Sequence, residues 1–375
     1  MIRVGKGKEE SLALSMEVAA DALKAPKFIL FFSKLGTLGE AARFLAERFP
    51  DIPTMGFCST TVLTNGISEE PDILLVSFEE EYRIACGLIR DLSECPVQNI
   101  YQLRKDLESI EPGEEDTVCI EYCTNNEEML VTTLTAMLDK YGVPLIGSTV
   151  VESMGNNGRG EVAFRGEIYE NACIYALIRC ERGKVRTYYE NIYMRTELSL
   201  HQVTKADVKN RCVVELDGRP AADVYCDVVQ TSRKEIHMMG QRYPLGRVLG
   251  SQVFVTAIEK VLPDGTLKCY KRINPNDAIC FMDYGRYREV TEETLERIQS
   301  ENKGIYFTLV SECIVRYLLY RSERFWEKHA ERLGTLGDNV VALSAGEQYH
   351  HQHINQAMVL VVFSHEPEEG ESGER

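Results

Sequence analysis

The chain has 375 residues, of which 44% are hydrophobic and 27% charged, and its formal net charge is −16. This is the composition of a globular protein, which excludes wholesale disorder and fibrous repeats. The acid excess also excludes broad binding to phosphate backbones, which requires a basic footprint.

The first ten residues hold no apolar stretch of the kind that directs secretion. The longest apolar runs, 28–32 and 357–363, are too short to span a bilayer. The twelve cysteines form no CxxC pair and sit mostly in apolar runs, as at Cys119, Cys173, Cys226 and Cys280. That usage predicts reduced packing thiols in a cytoplasmic protein. Residues 1–26 are expected to form a helical lead-in.

One unit recurs three times along the chain. Phe28-Ile29-Leu30-Phe31-Phe32 reads as a buried strand, 38–49 as an amphipathic helix with Ala42, Leu45, Ala46 and Phe49 on one face, and 53–57 as a second buried strand. A loop rich in Asn and Gly then leads to a third strand at 73–78. The same order returns at 118–122, 127–140 and 143–149, followed by a Gly/Asn loop and strands at 161–164 and 173–178. A looser copy runs through 305–310, helical segments at 316–320 and 322–333, then 340–347, a His-rich loop and 358–363. A strand–helix–strand crossover makes the first two strands of each copy parallel neighbours. The loops at 58–66, 148–160 and 344–355 leave from strand carboxyl ends, where open α/β sheets bind ligands.

Between the second and third copies the chain becomes richer in hairpins. A strand at 211–216 leads into a helix over 219–230. Pro263-Asp264-Gly265 marks a hairpin between 252–261 and 266–273. A further strand is predicted at 278–283, then a helix over 291–299 capped by Thr291. The predicted fold class is therefore α/β, with mixed sheets and packed helices in two closely packed domains divided near residue 220. The Glu/Gly-rich end, 365–375, is expected to be an acidic disordered tail.

Several segments, in this order, resemble the FIST sensory family along nearly the whole chain: Met55-Gly56-Phe57-Cys58-Ser59-Thr60; Pro144-Leu145-Ile146-Gly147-Ser148; Val214-Glu215-Leu216-Asp217-Gly218-Arg219-Pro220-Ala221; Tyr243-Pro244-Leu245-Gly246; Cys313 with Arg316; and Gly346-Glu347-Gln348 followed by His353-Ile354-Asn355-Gln356. The resemblance implies a FIST N-like domain over 27–219 and a FIST C-like domain over 220–364. It also implies a cytoplasmic ligand-sensing module, with amino acids as suggested ligands and haem with nitric oxide sensing in some members. The partners it implies are a histidine kinase, a cyclic-dinucleotide enzyme or a chemoreceptor. Ala357 and Glu312 depart from the family pattern, which tends to carry Thr and Ser at those places.

The main candidate cluster is Cys313, Arg316, Glu347, Gln348, His353 and Asn355. Arg316 can clamp a carboxylate, Glu347 can take an ammonium and Asn355 can read either; alternatively, Arg316 and Glu347 form an internal ion pair. Ser59, Thr60, Ser148 and Thr149 end buried strands, where they can face a ligand or cap the next segment. Arg159, within Gly155-Asn156-Asn157-Gly158-Arg159-Gly160, can join an anion-binding nest or sit in a simple turn. His350, His351 and His353 lack carboxylates at a familiar metal-ligand spacing, so no metal and no cofactor are expected. Under the haem alternative the axial candidates are His201 and His237. A thiol enzyme using Cys58 or Cys313 is a third reading, although HExxH, GxSxG and kinase signatures are all missing, so no catalytic residue is assigned.

Overall fold

A computed structural model describes residues 1–59, 62–151, 160–196 and 199–365. Thr60, Arg159 and the predicted tail from 366 onward fall outside these residues. The described chain is a mixed α/β protein that divides into two compact units. One comprises Met1–Tyr189, Thr294–Gln352 and Met358–Arg375; the other comprises Glu190–Glu293 and His353–Ala357.

The first unit contains the threefold repetition. In the first copy, Phe28–Ser33 and Thr54–Cys58 are parallel neighbours on either side of helix Leu38–Arg48, and Ile73–Phe78 lies antiparallel on the far edge of Phe28–Ser33. The second copy repeats this with Thr117–Cys123, helix Glu127–Leu138, Leu145–Thr149 and the antiparallel Cys173–Cys180. In the third, Ile305–Cys313 and Asp338–Ser344 are parallel, and Met358–Ser364 is antiparallel to Ile305–Cys313. Each copy also has an edge strand, namely Ile2–Gly7, Tyr82–Ile89 or Lys184–Glu190, beside its antiparallel strand. Residues 1–26 are therefore not purely helical: Ile2–Gly7 pairs with Ile73–Phe78 before helix Leu12–Asp21 begins. Six residues of alternation are too few to stand out from a helix pattern.

The hairpin that follows the second parallel strand does not stay with its own copy. The first copy's Val62–Thr64 adds to the third copy's Asp338–Ser344. Val162–Phe164 from the second copy adds to Thr54–Cys58 of the first. Glu347–Tyr349 from the third adds to Leu145–Thr149 of the second. The exchange is cyclic, and every second parallel strand, which would otherwise expose unpaired backbone groups, is covered by a neighbour. Alternate residues of all three sheets, among them Phe32, Phe57, Tyr122, Ile174, Leu309 and Phe363, share one hydrophobic core. On the other face of the first sheet, Ala41, Ala42 and Leu45 pack against Phe31 and Ala163. The buried face is thus rotated slightly from the predicted one: Leu38 and Ala41 are buried, while Ala46 and Phe49 are half-buried.

Gly56 shows how tight that packing is. A Cβ there would lie 2.6 Å from the Phe31 ring and closer still to the Phe31 carbonyl on the neighbouring strand. Gly56→Ala is expected to lower stability by about 2–3 kcal/mol through overpacking against backbone. A urea denaturation curve with an unchanged midpoint would contradict this.

In the second unit the strand order is Gln252–Thr256, Leu245–Leu249, Ala278–Tyr284, His201–Asp207, Cys212–Leu216, Leu267–Cys269 and Ile258–Val261. Helix Ala221–Val229 packs on it through Ala221, Val224 and Tyr225. The Pro263-Asp264-Gly265 turn joins Ile258–Val261 to Leu267–Cys269 as predicted, while Gln252–Thr256 pairs instead with Leu245–Leu249. The helix predicted over 291–299 spans Tyr287–Glu301. Thr291 lies inside it, and its hydroxyl donates to Glu190 Oε1 at 3.2 Å rather than capping a terminus.

Candidate functional site

The carboxyl ends of the second and third copies bring polar side chains into apolar surroundings. Strand Ile305–Cys313 runs directly into helix Ile314–Ser322, so Cys313 occupies the N-cap and Arg316 the first turn. Glu312 and Arg316 are both fully buried and form an ion pair with Nε 2.7 Å from Oε1. His329, from helix Trp326–Leu333, places Nε2 3.1 Å from Glu312 Oε2. Arg316 Nη2 donates to the Tyr320 hydroxyl at 3.0 Å. Arg316 therefore meets Glu312, and the pair braces a helix against a strand. The i,i+4 offset across the strand–helix junction makes the pairing local.

Glu347 and Gln348 arrive through the exchanged hairpin, in register with Ser148 and Gly147. Ser344 Oγ donates to Glu347 Oε1 at 2.8 Å. Gln348 Nε2 donates to Thr149 Oγ1 at 3.1 Å, and that hydroxyl donates to Glu127 Oε1 at 3.1 Å. Ser311 Oγ approaches Ser148 Oγ at 3.4 Å, and Ser59 Oγ accepts from the Leu343 amide at 3.3 Å. The structure thus gathers Ser59, Ser148, Thr149, Cys313, Arg316, Glu347 and Gln348 at strand ends of one unit. Hydrogen bonds from hydroxyls hold the two carboxyl groups in place, an arrangement suited to recognition by hydrogen bonding.

His353 and Asn355 belong to the second unit, where Asn355 Oδ1 accepts from the Ala257 amide at 3.2 Å and Asn355 Nδ2 lies 3.4 Å from His353 Nε2. His201 Nδ1 lies 2.7 Å from Asp217 Oδ2, with its ring edge-on to Phe281. His237 lies exposed on helix Ile236–Arg242 beside Met238, which is also exposed. His350 contacts Thr187 Oγ1 at 3.2 Å, and His351 meets the Asp139 carboxylate at 3.0 Å. Among the described residues no group of three or more His, Cys, Asp or Glu side chains is arranged to hold a metal ion.

All twelve cysteines are free thiols. Cys58 donates to the Lys34 carbonyl at 3.3 Å, and burial pushes its thiol pKa up, the reverse of what activates a nucleophile. Sequence reasoning missed three buried ionisable groups: Glu121, His329 and the pairing role of Glu312. Glu121 sits mid-strand with Oε2 accepting from Cys173 Sγ at 3.3 Å and no hydrogen-bond partner on Oε1. Burial, with Glu127 adding repulsion, raises its pKa to about 8.

A family model described as the FIST N domain matches residues 27–219, and one described as the FIST C domain matches 221–350. The chain belongs to the FIST family. FIST domains are sensory domains. No curated protein sequence matches the chain. The FIST N match holds the first two copies, whereas the FIST C match takes in most of the second unit and the third copy as far as the exchanged hairpin. The threefold repetition therefore crosses the boundary between the two family domains. No helix among the described residues is long and apolar enough to cross a membrane.

Proposed function

We propose that this FIST protein senses a small polar metabolite bearing an ammonium group, with amino acids as the first class to test. The observation that carries the reading is the pair of chains Ser344–Glu347 and Gln348–Thr149–Glu127, assembled at strand carboxyl ends from two different repeats. Glu347 and Glu127 supply negative charge, Gln348 and Thr149 supply neutral hydrogen bonds, and Ser148 lies in register beside Glu347. Binding favours one arrangement of the exchanged hairpin, and a separate cytoplasmic partner reads it: a histidine kinase, a cyclic-dinucleotide enzyme or a chemoreceptor.

The test is a thermal-shift screen with amino acids, their decarboxylated amines and simple carboxylates. A ligand at a hundred times its Kd stabilises by about 2.7 kcal/mol. Glu347→Gln is expected to weaken binding of any hit by about 10- to 100-fold, the range for a hydrogen bond to a charged group. A hit list confined to amine-free carboxylates, or one indifferent to Glu347→Gln, would reject this reading.

A further inference from the structure

A cavity of about 1020 Å³ opens at the opposite, amino-terminal ends of the second copy's parallel strands. It lies within the first unit, between the segments that precede Thr117–Cys123 and Leu145–Thr149, the edge strand Lys184–Glu190 and the end of helix Tyr287–Glu301. Its size is at the upper end of ligand pockets, roughly 300–1,000 Å³. None of the strand-end residues proposed above lines it.

Its walls are aromatic and held in place. Tyr188 accepts from Asn302 Nδ2 at 2.6 Å, and Tyr349 donates to the Thr187 carbonyl at 3.3 Å, so both hydroxyls are engaged and the rings are fixed. His350 packs on Tyr349 with ring centroids 4.3 Å apart, and its burial lowers its pKa, which favours the neutral imidazole. Tyr141 supplies a further ring.

The charge on the lining is negative. Arg186 is committed to the Glu115 carboxylate, with Nη2 3.0 Å from Oε2, and to the Glu301 backbone carbonyl. Lys184 reaches the same Glu115 oxygen at 3.0 Å. These cations balance Glu115, while Glu114 and Glu301 add acid at exposed positions. Arg297, which does not line the cavity, is engaged over the Tyr188 ring with its guanidinium 5.8 Å from the centroid. Aromatic rings together with carboxylates are the chemistry of organic-cation recognition.

We infer that this cavity, walled by Tyr141, Tyr188 and Tyr349 with Glu114 and Glu301 on its lining, is a second ligand site that takes a small organic cation of the alkylammonium class. Choline is the probe, and its neutral isostere 3,3-dimethylbutan-1-ol is the control, both followed by saturation-transfer NMR and calorimetry on the full chain. Choline is expected to bind saturably and the alcohol not. Glu301→Gln and Tyr141→Ala, each checked for an unchanged Tm, are expected to weaken choline about three- to tenfold. Glu347→Gln, at the strand-end site, is expected to leave choline binding as it was, which separates this inference from the proposed sensing site. Equal binding of choline and the alcohol, absence of saturable choline binding, or indifference to both cavity substitutions would overturn it.

Discussion

Arg316→Ala should destabilise the protein by about 3–5 kcal/mol, because it strands the Glu312 carboxylate in a fully buried position. His329 stays 3.1 Å from Glu312, but a lone imidazole offers less compensation than a guanidinium that also bonds Tyr320. The loss should appear as a lower urea midpoint with or without ligand. The double variant Glu312→Gln/Arg316→Met, which removes both charges, should recover much of it, since replacing a buried pair by neutral groups of similar volume is often close to neutral. A single variant as stable as wild type would show that Arg316 is not the brace described. The same substitution is a poor probe of ligand recognition, because any loss of binding would be confounded with unfolding; Glu347→Gln is the cleaner instrument.

Glu121→Gln should stabilise the protein, and by more as the pH rises. The carboxyl's pKa is raised from an ordinary 4.5 to about 8 by burial. The folded state therefore holds a proton that the unfolded state releases above about pH 4.5. Stability should fall as pH climbs through this window and level off above about 8. A shift of this size corresponds to roughly 3–5 kcal/mol at pH 8. The amide resembles the protonated acid and carries the same unmet group at the Oε1 position, so wild type and variant should converge near pH 4.5. Parallel denaturation curves at pH 5 and pH 8, with the same difference at both, would refute the assignment of a buried neutral carboxyl.

The repeated copies were legible because their central strands are buried on both faces and read as continuous apolar runs, bounded by helices of ordinary period. The partners of the exchanged hairpins were not. Glu347 pairs with Ser148 across a large sequence gap, and nothing in the local pattern of either strand names the other. The polar network suffered the same blindness: Glu312 stood out only as a departure from the FIST pattern, and a glutamate between Ser311 and Cys313 near the end of a strand looks like a solvent-facing position until its arginine and histidine are placed. Glu121 was hidden for that reason too. Conversely, Ser148, Thr149, Glu347 and Gln348 stood out as polar groups at or near the ends of apolar strand runs, and the structure places them beside one another in a hydrogen-bonded network. His353 and Asn355 follow closely in sequence, yet they group with the second unit, a division that chain proximity cannot reveal.

The cyclic exchange of hairpins also bears on ancestry. One copy taken alone has a bare strand edge and a hairpin with nothing to pair with, so it is an incomplete protein. Three identical copies, each giving its hairpin to the next, would close the same ring as a symmetric homotrimer. Fusing such a trimer end to end would free each copy to diverge separately, and one of the three has admitted an entire second unit between its edge strand and its first parallel strand without opening the ring.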